Sequence, residues 1–225
     1  MAIRMTARTS REIDTLILLT GRDEAPLLAD ILRAYNPTLA VVPVHDKACV
    51  TAACLAAGPG TRLLSVCSPV IVPAEALRAL PGPAYNFHPG PPTRPGRYPG
   101  VFALYHEDAR FGVTVHEMAA RVDSGPIVAV DLFDVPSGCD LRTLENLTFK
   151  RLIALLRTLG PHLARTVTPL PAIDAAWSGR KTRLAEVDVL ARLTPDLTPA
   201  EIARRRRALG GQVFEPDPGW MRTDH

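Results

Sequence analysis

The chain has 225 residues, of which 47% are hydrophobic and 22% are charged, and its formal net charge is +3. This length and composition are typical of a folded globular protein and exclude a disordered chain. The mild charge does not indicate a dedicated nucleic-acid binder, in which basic residues would cluster on one face, and the arginine run at 204–207 is the one local exception.

Four cysteines occur in the chain, without the paired spacing of a zinc site: Cys49, Cys54, Cys67 and Cys139. A chain with this much core does not need a disulfide framework, which favours a reducing cytoplasm. The first apolar run, residues 15–19, is too short for a signal peptide and lacks a cleavage site. No apolar run approaches transmembrane length, so we expect a cytoplasmic location and no membrane partner.

Apolar runs alternate with helix-like segments over the first half of the chain. Strands are predicted at residues 15–20, 39–44, 62–66 and 84–87, with helices at 25–34, 48–57 and 74–80 between them. This alternation predicts an α/β fold, a Rossmann-like and doubly wound sheet that is mostly parallel and has helices on both faces. Such sheets bind ligands beyond the carboxyl ends of their strands, where His88 is expected.

The second half begins with a loop, residues 89–100, that is dense in proline and glycine. Its position directly after His88 favours a rigid, ligand-facing loop over a plain surface connection. A helix at 101–106 and strands at 112–118 and 128–135 are predicted next. The last strand is a candidate antiparallel edge strand, because only a short turn precedes it.

Asp140 is predicted to cap a long helix that has leucines at core spacing and ends at Gly160-Pro161. The composition changes from residue 166 onward, where an extended arm precedes a candidate final helix at 196–209. We therefore expect a main domain, residues 1–165, followed by a C-terminal arm and helix, residues 166–225.

Two polar side chains follow each other on one face of the fourth predicted strand. Asn86 and His88 alternate along the strand, so the amide and the imidazole project to the same side. A carboxylate on a later turn, Asp123, can approach the ring. The three groups suit acyl transfer, because amide and ring can stabilise an oxyanion while the acid sets the charge of the ring. The structural alternatives are a core histidine satisfied by a carbonyl and a plain turn aspartate.

Four sequence blocks resemble the folate-dependent formyltransferases, a family of glycinamide ribonucleotide, methionyl-tRNA and sugar-nucleotide enzymes. Each block alone is weakly specific, but the order and spacing of all four match, and the resemblance covers residues 16–163. The blocks are Asn86-Phe87-His88-Pro89, Tyr98-Pro99-Gly100, Gly112-Val113-Thr114-Val115-His116 and Val122-Asp123-Ser124-Gly125-Pro126-Ile127.

The resemblance implies a one-carbon group transferase whose co-substrate is 10-formyltetrahydrofolate, whose acceptor is an amine and which needs no metal. In this role Asn86 donates a hydrogen bond to the formyl oxygen, and His88 stabilises that oxygen, preferably as imidazolium. Asp123 pairs with His88 and helps to remove a proton from the attacking amine through water. Residues 1–165 are then the catalytic domain.

The resemblance also implies the binding segments. The pterin of the folate rests against two of them, Val70-Ile71-Val72 and Arg121-Val122-Asp123. His116 and Tyr98 are expected on the acceptor side, although His116 could equally cap a strand end.

The acceptor is less determined. The first strand ends without the phosphate loop of the glycinamide ribonucleotide enzymes, and residues 198–209 resemble the linker helix of the sugar-modifying relatives. We therefore expect a small-molecule amine, with an amino sugar on a nucleotide carrier preferred, no nucleic acid, and a homodimer as an open question. Hydroxyornithine-type compounds, methionyl-tRNA, a hydrolase of the same donor and a non-catalytic folate-binding module are the alternatives. The arginine run is interpreted as a solvated helix face.

Overall fold

The computed structural model describes residues 12–213. Its centre is a six-stranded sheet with the strand order β2-β1-β3-β4-β5-β6. The strands are β1 (Thr15–Leu19), β2 (Ala40–Val44), β3 (Thr61–Val66), β4 (Tyr85–His88), β5 (Arg110–Glu117) and β6 (Ile127–Asp134). The helices are α1 (Ala25–Arg33), α2 (Lys47–Leu55), α3 (Ala74–Ala79), α4 (Pro99–Tyr105), α5 (Leu141–Leu163), α6 (Leu184–Ala191) and α7 (Pro199–Ala208).

The sheet is parallel over its first four strands. β1 pairs in parallel with β2 and with β3, and β3 pairs in parallel with β4, whereas β5 runs antiparallel to β4. The predicted α/β fold with a mostly parallel sheet is therefore confirmed. The antiparallel pairing of β4 with β5 determines which residues of β5 lie beside the end of β4, and hence which residues form the candidate site.

Every residue of β3 is buried, as expected for a central strand covered on both faces. One of these buried residues is Arg62, whose guanidinium donates hydrogen bonds to the backbone carbonyls of Pro83, Thr166 and Thr168 at 3.1, 2.7 and 3.0 Å. Burial lowers the pKa of this guanidinium. Three carbonyl acceptors offset much of the cost of burying the charge. The bonds to Thr166 and Thr168 also attach the segment after α5 to β3.

The chain forms two compact units that alternate along the sequence. One unit contains the described residues up to His88, together with Thr114–Val130 and Leu152–Ala176. The other contains Pro89–Val113, Asp131–Arg151 and the described residues from Trp177 onward. The predicted division into a catalytic domain and an arm at residue 165 stays a prediction about function.

Helix α5 continues through Pro161 to Leu163, so the prediction that it ends at Gly160-Pro161 is wrong. A proline inside a helix leaves the carbonyl four residues earlier without its amide donor. Here that carbonyl belongs to Arg157, and the hydroxyl of Tyr35 donates to it at 3.0 Å. A side chain at Gly160 would lie 2.6 Å from the Tyr35 ring, so the glycine makes room for this replacement donor.

The arginine run on α7 is held by partners within its own unit and is not a uniformly solvated face. The guanidinium of Arg204 lies 5.6 Å from the centre of the Tyr105 ring, and Arg205 donates to Glu201 at 2.7 Å. Arg207 donates to Glu107 at 2.8 Å. The contacts of Arg204 and Arg207 join α7 to α4 and to Glu107, two residues after the end of α4.

Glu201 is the centre of this arrangement, and Glu201→Gln is expected to lower the free energy of unfolding by at most about 1 kcal/mol at pH 7. The hydrogen bonds from Arg205 and Tyr105 lower the pKa of the carboxyl group. A lowered folded-state pKa means that the contribution is present above the unfolded pKa and is lost as the pH falls through the folded value. Urea unfolding at pH 7 and at acidic pH measures this.

The matched control is Asp30→Asn, because the Asp30 side chain is 79% exposed and its ion pair with Arg33 is long, at 3.8 Å. This control is expected to leave the free energy of unfolding unchanged at both pH values. A Glu201→Gln effect that persisted undiminished at acidic pH would contradict an electrostatic origin.

Among the described residues, no helix is both long enough and apolar enough to cross a membrane.

Candidate active site

The end of β4 and the facing part of β5 bring four polar residues together. Asn86 and His88 lie on one face of β4, and the antiparallel register places His116 opposite Asn86 and Thr114 opposite His88. Alternation along both strands then directs all four to the same side of the sheet. His88, Thr114 and His116 are buried, whereas Asn86 is partly exposed. The amide and the imidazole that the sequence put on one face therefore lie beside a second imidazole.

Asp123 lies on the turn that follows β5, and its carboxylate is enclosed between the two rings. Oδ2 of Asp123 is 3.6 Å from Nδ1 of His88, and Oδ1 is 3.2 Å from Nε2 of His116. The side chain of Asp123 is 2% exposed. A buried carboxylate is costly unless donors or positive charges face it, and the two imidazoles supply these. The three predicted groups Asn86, His88 and Asp123 thus lie in one cluster, in which His88 and Asp123 are buried and Asn86 is partly exposed.

The turn itself is tightly shaped. Asp123 has a φ of 44°, in the left-handed region that aspartate tolerates better than most residues. A Cβ atom at Gly125 would lie 1.9 Å from the backbone oxygen of Glu117, so only glycine fits. Glu117 also donates its amide to the oxygen of Pro126 at 2.9 Å. These contacts hold the turn against the end of β5 and so determine where the Asp123 carboxylate lies.

His116 lies between Asn86 and Asp123, a position that the sequence did not indicate. Its Nδ1 lies 2.9 Å from the backbone oxygen of Glu117, and its Nε2 lies 3.2 Å from Nδ2 of Asn86. The ring therefore contacts Asn86, Asp123 and the strand end at once. The available signal was the alternation of Thr114 and His116 on one strand face. The pairing of His116 with Asn86 depends on the β4–β5 register, which is not visible in the sequence.

The two segments expected to hold the pterin each expose one apolar side chain. Ile71 is 55% exposed and Val122 is 42% exposed, whereas Val72 belongs to the core and Val70 is partly buried against it. Arg121 is exposed, and its backbone oxygen accepts a hydrogen bond from Ser124 at 2.7 Å.

Tyr98 belongs to the other compact unit, where it precedes α4 with a φ of 55° and is 44% exposed. In the same unit the loop at 89–100 is paired with a C-terminal segment. The Ser178 amide donates to Pro92 at 3.0 Å, and Arg97 donates to Thr182 at 3.0 Å. The rigidity and ligand-facing role of the loop stay predictions, and its pairing with a C-terminal segment was not predicted.

Within residues 12–213, no group of three or more histidine, cysteine, aspartate or glutamate side chains has an arrangement that could hold a metal ion. This includes the cluster of His88, Asp123 and His116.

A comparison with protein-family models identifies the family of the segment that contains the polar cluster. Residues 47–151 match the model of the formyl transferase family. The chain carries a formyl transferase domain. The matched segment contains Asn86, His88, His116 and Asp123, so the whole polar cluster lies inside the family domain. The family and the formyltransferase class of enzyme expected from the sequence are confirmed.

Solved structures with the same fold include several formyltransferases. The Mycobacterium tuberculosis protein Rv3404c, provisionally assigned as a sugar N-formyltransferase, is 22% identical, with 88% of this chain and 87% of that chain covered and a TM-score of 0.69. The Helicobacter canadensis N-formyltransferase, solved with folinic acid and dTDP-3-aminofucose, is 14% identical, with 87% and 80% covered and a TM-score of 0.63.

The formyltransferase PseJ of Anoxybacillus kamchatkensis is a third similar structure, solved with tetrahydrofolate and UDP-4,6-dideoxy-4-formamido-L-AltNAc. It is 18% identical, with 88% of this chain and 99% of that chain covered and a TM-score of 0.60. At these identities the likeness establishes the shared fold of the formyltransferase domain.

Proposed function

We propose that this formyltransferase moves the formyl group of 10-formyltetrahydrofolate to the amine of a small molecule, namely an amino sugar on a nucleotide carrier. The observation that carries the proposal is the convergence of Asn86, His88 and Asp123 in one polar cluster inside the formyl transferase domain. The bound folates and sugar nucleotides of the Helicobacter and Anoxybacillus proteins support the choice of donor and acceptor.

The proposed roles follow from the chemistry of formyl transfer. When an amine attacks the formyl carbon, negative charge develops on the formyl oxygen, and fixed donors lower the energy of that state. The Asn86 amide and the His88 imidazole are the donors at the strand end. Asp123 holds the charged form of His88 by proximity and accepts the proton that the amine loses, through water. As the bond from the formyl carbon to the folate nitrogen breaks, that nitrogen takes up the proton that the amine lost, and tetrahydrofolate leaves as a neutral amine.

The exposed side chains of Ile71 and Val122 suit the flat apolar faces of a pterin, which supports the folate as co-substrate. Burial of the pterin against them would contribute binding energy and orientation to the reaction. His116, Tyr98 and the loop at 89–100 were expected on the acceptor side. Of these, Tyr98 and the loop stay our proposal for acceptor contacts.

The cytoplasmic location that we propose rests on the cysteine spacing and on a core that needs no disulfide framework. The partners that we propose are the folate and the amine acceptor, with no nucleic acid or membrane required.

The test is a formyl-transfer assay with the purified chain, 10-formyltetrahydrofolate and a panel of dTDP- and UDP-linked amino sugars. We expect tetrahydrofolate to be released only when an amino sugar is present, with one formylated sugar per tetrahydrofolate by mass spectrometry. Formate release without an amine would instead indicate a hydrolase. Folate binding without turnover across sugars, hydroxyornithine and methionyl-tRNA would indicate a non-catalytic module.

A further inference from the structure

The loop at 89–100 is paired with a C-terminal segment, residues 178–182, of the same compact unit. The pairing includes a parallel bridge between Gly96 and Thr182. Gly96 has a φ of 98°, and a Cβ atom at this position would lie 2.4 Å from the backbone oxygen of Thr182. Only glycine therefore allows the loop and the C-terminal segment to approach so closely.

Thr182 makes three hydrogen bonds to the loop. Its amide donates to the Pro95 oxygen at 3.1 Å, and its own oxygen accepts from the Arg97 amide at 3.0 Å. Its hydroxyl donates to the Arg97 oxygen at 2.5 Å. Thr182 is 8% exposed, so water competes little for these bonds. One buried residue thus holds both backbone groups of Arg97.

Tyr98 directly follows Arg97 and has a strained backbone. Its φ of 55° lies in the left-handed region, which a tyrosine adopts only where its surroundings hold it. Arg97 is held on one side, and on the other side Pro99 begins α4 with its φ restricted by the ring. Tyr98 is 44% exposed, so its backbone is held while its side chain stays accessible to a ligand.

The loop has a second anchor that does not involve the C-terminal segment. The guanidinium of Arg94 donates to the two carboxylate oxygens of Asp108 at 2.8 and 2.6 Å, and both side chains are partly buried. Such a two-fold contact has a specific geometry. A substitution at Thr182 leaves this anchor in place, so we expect it to displace the residues around Tyr98 and not the whole loop.

We propose that Thr182 is a positioning residue for the acceptor, which through the backbone of Arg97 holds Tyr98 in the conformation that meets the amino sugar. This inference rests on the proposed function, in which Tyr98 and the loop contact the acceptor. The effect of Thr182 passes through Tyr98 and concerns acceptor binding, because the polar cluster of the chemical step belongs to the other compact unit.

Two substitutions at Thr182 test the hydroxyl. Thr182→Val keeps the shape of the side chain and removes the hydroxyl, whereas Thr182→Ser keeps the hydroxyl. We expect Thr182→Val to raise KM for the amino sugar by about tenfold, with kcat and KM for 10-formyltetrahydrofolate changed less than about twofold. Thr182→Ser is expected to stay within about threefold of the parent in all three constants. A lowered unfolding temperature with an unchanged KM for the amino sugar would overturn the proposal.

A second pair of variants displaces the C-terminal segment itself. The methyl group of Gly179→Ala would lie 2.5 Å from the backbone oxygen of Thr93, so the segment must move away from the loop. Gly138→Ala is the matched control, because Gly138 has a similar φ, 70° against 78°, and nothing lies within 4 Å of its Cβ position. Only Gly179→Ala is expected to raise KM for the amino sugar. Equal KM values for the two variants would overturn the proposal.

Limited proteolysis tests the same contact without turnover. Arg97-Tyr98 is the bond of the loop that trypsin can cleave, since the other arginine of the loop precedes a proline. Cleavage requires local opening of the backbone, so Thr182→Val is expected to be cut there about tenfold faster than the parent and Thr182→Ser. Cleavage at Arg121-Val122, in the other compact unit, is the internal control and is expected to be equal in all three. Cleavage of Thr182→Val at the parent rate would overturn the proposal.

Failure of the proposed function has a different signature. The parent chain would then transfer no formyl group to any amino sugar, although cleavage of the loop still responded to Thr182→Val, and the inference would fall with the proposed function. Failure of the inference alone would leave the parent chain active and Thr182→Val with the parent KM for the amino sugar.

Discussion

His88→Asn is expected to reduce kcat for formyl transfer by about a thousandfold, because it removes both the ring that stabilises the formyl oxygen and the partner of Asp123. The substituted amide can still donate a hydrogen bond but cannot carry charge. Folate affinity is expected to change little, since Ile71 and Val122, the exposed apolar side chains that we propose to hold the pterin, are untouched. Steady-state kinetics give kcat, and titration of a folate analogue by calorimetry gives the affinity.

His106→Asn is the matched control for this prediction. His106 is an exposed residue that directly follows α4, outside the polar cluster. The control is expected to retain the parent kcat and the parent unfolding temperature. Turnover by His88→Asn at a rate near that of the control would mean that the catalytic assignment is wrong.

Gly125→Ala is expected to lower kcat by about tenfold to a hundredfold and to lower the free energy of unfolding by about 1–3 kcal/mol. The added methyl group would lie 1.9 Å from the Glu117 oxygen and 2.9 Å from the Glu117 carbonyl carbon, both backbone atoms that cannot rotate away. The turn must shift, and the Asp123 carboxylate shifts with it relative to His88 and His116. Kinetics and urea unfolding measure the two effects.

Gly58→Ala is the control, because nothing lies within 4 Å of a Cβ atom at Gly58. It is expected to leave both kcat and the free energy of unfolding near their parent values. Parent-like kinetics of Gly125→Ala would show that the carboxylate position tolerates movement of the turn, and that the tight approach to Glu117 is not required for function.

The sequence predicted most of the regular elements because their signals are local. Each of the four parallel strands was located from an apolar run bounded by turn residues, to within one or two residues of its observed ends. The cap of α5 was also found, since Asp140 Oδ1 accepts from the amide of Thr143 at 2.8 Å. Helix α6 was missed, because the arm before it has the proline and glycine content of an irregular segment.

The end of α5 shows where local signals fail. Gly160-Pro161 is a strong stop signal, yet the helix continues because the Tyr35 hydroxyl satisfies the carbonyl that the proline leaves unpaired. Tyr35 lies far away in the chain, so its contribution cannot be read from the neighbourhood of the proline. The pairing of the loop at 89–100 with residues near Thr182 is a second case of the same kind.

The sequence by itself determined the fold class, the formyltransferase family and the shared face of Asn86 and His88, because strand alternation and motif order are properties of short segments. Only the tertiary structure decided that His116 stands between Asn86 and Asp123, and that the carboxylate lies nearer to this ring than to His88. The physical reason is that these distances depend on the antiparallel register of β4 and β5 and on the close approach of Gly125 to Glu117, which involve residues distant in the chain.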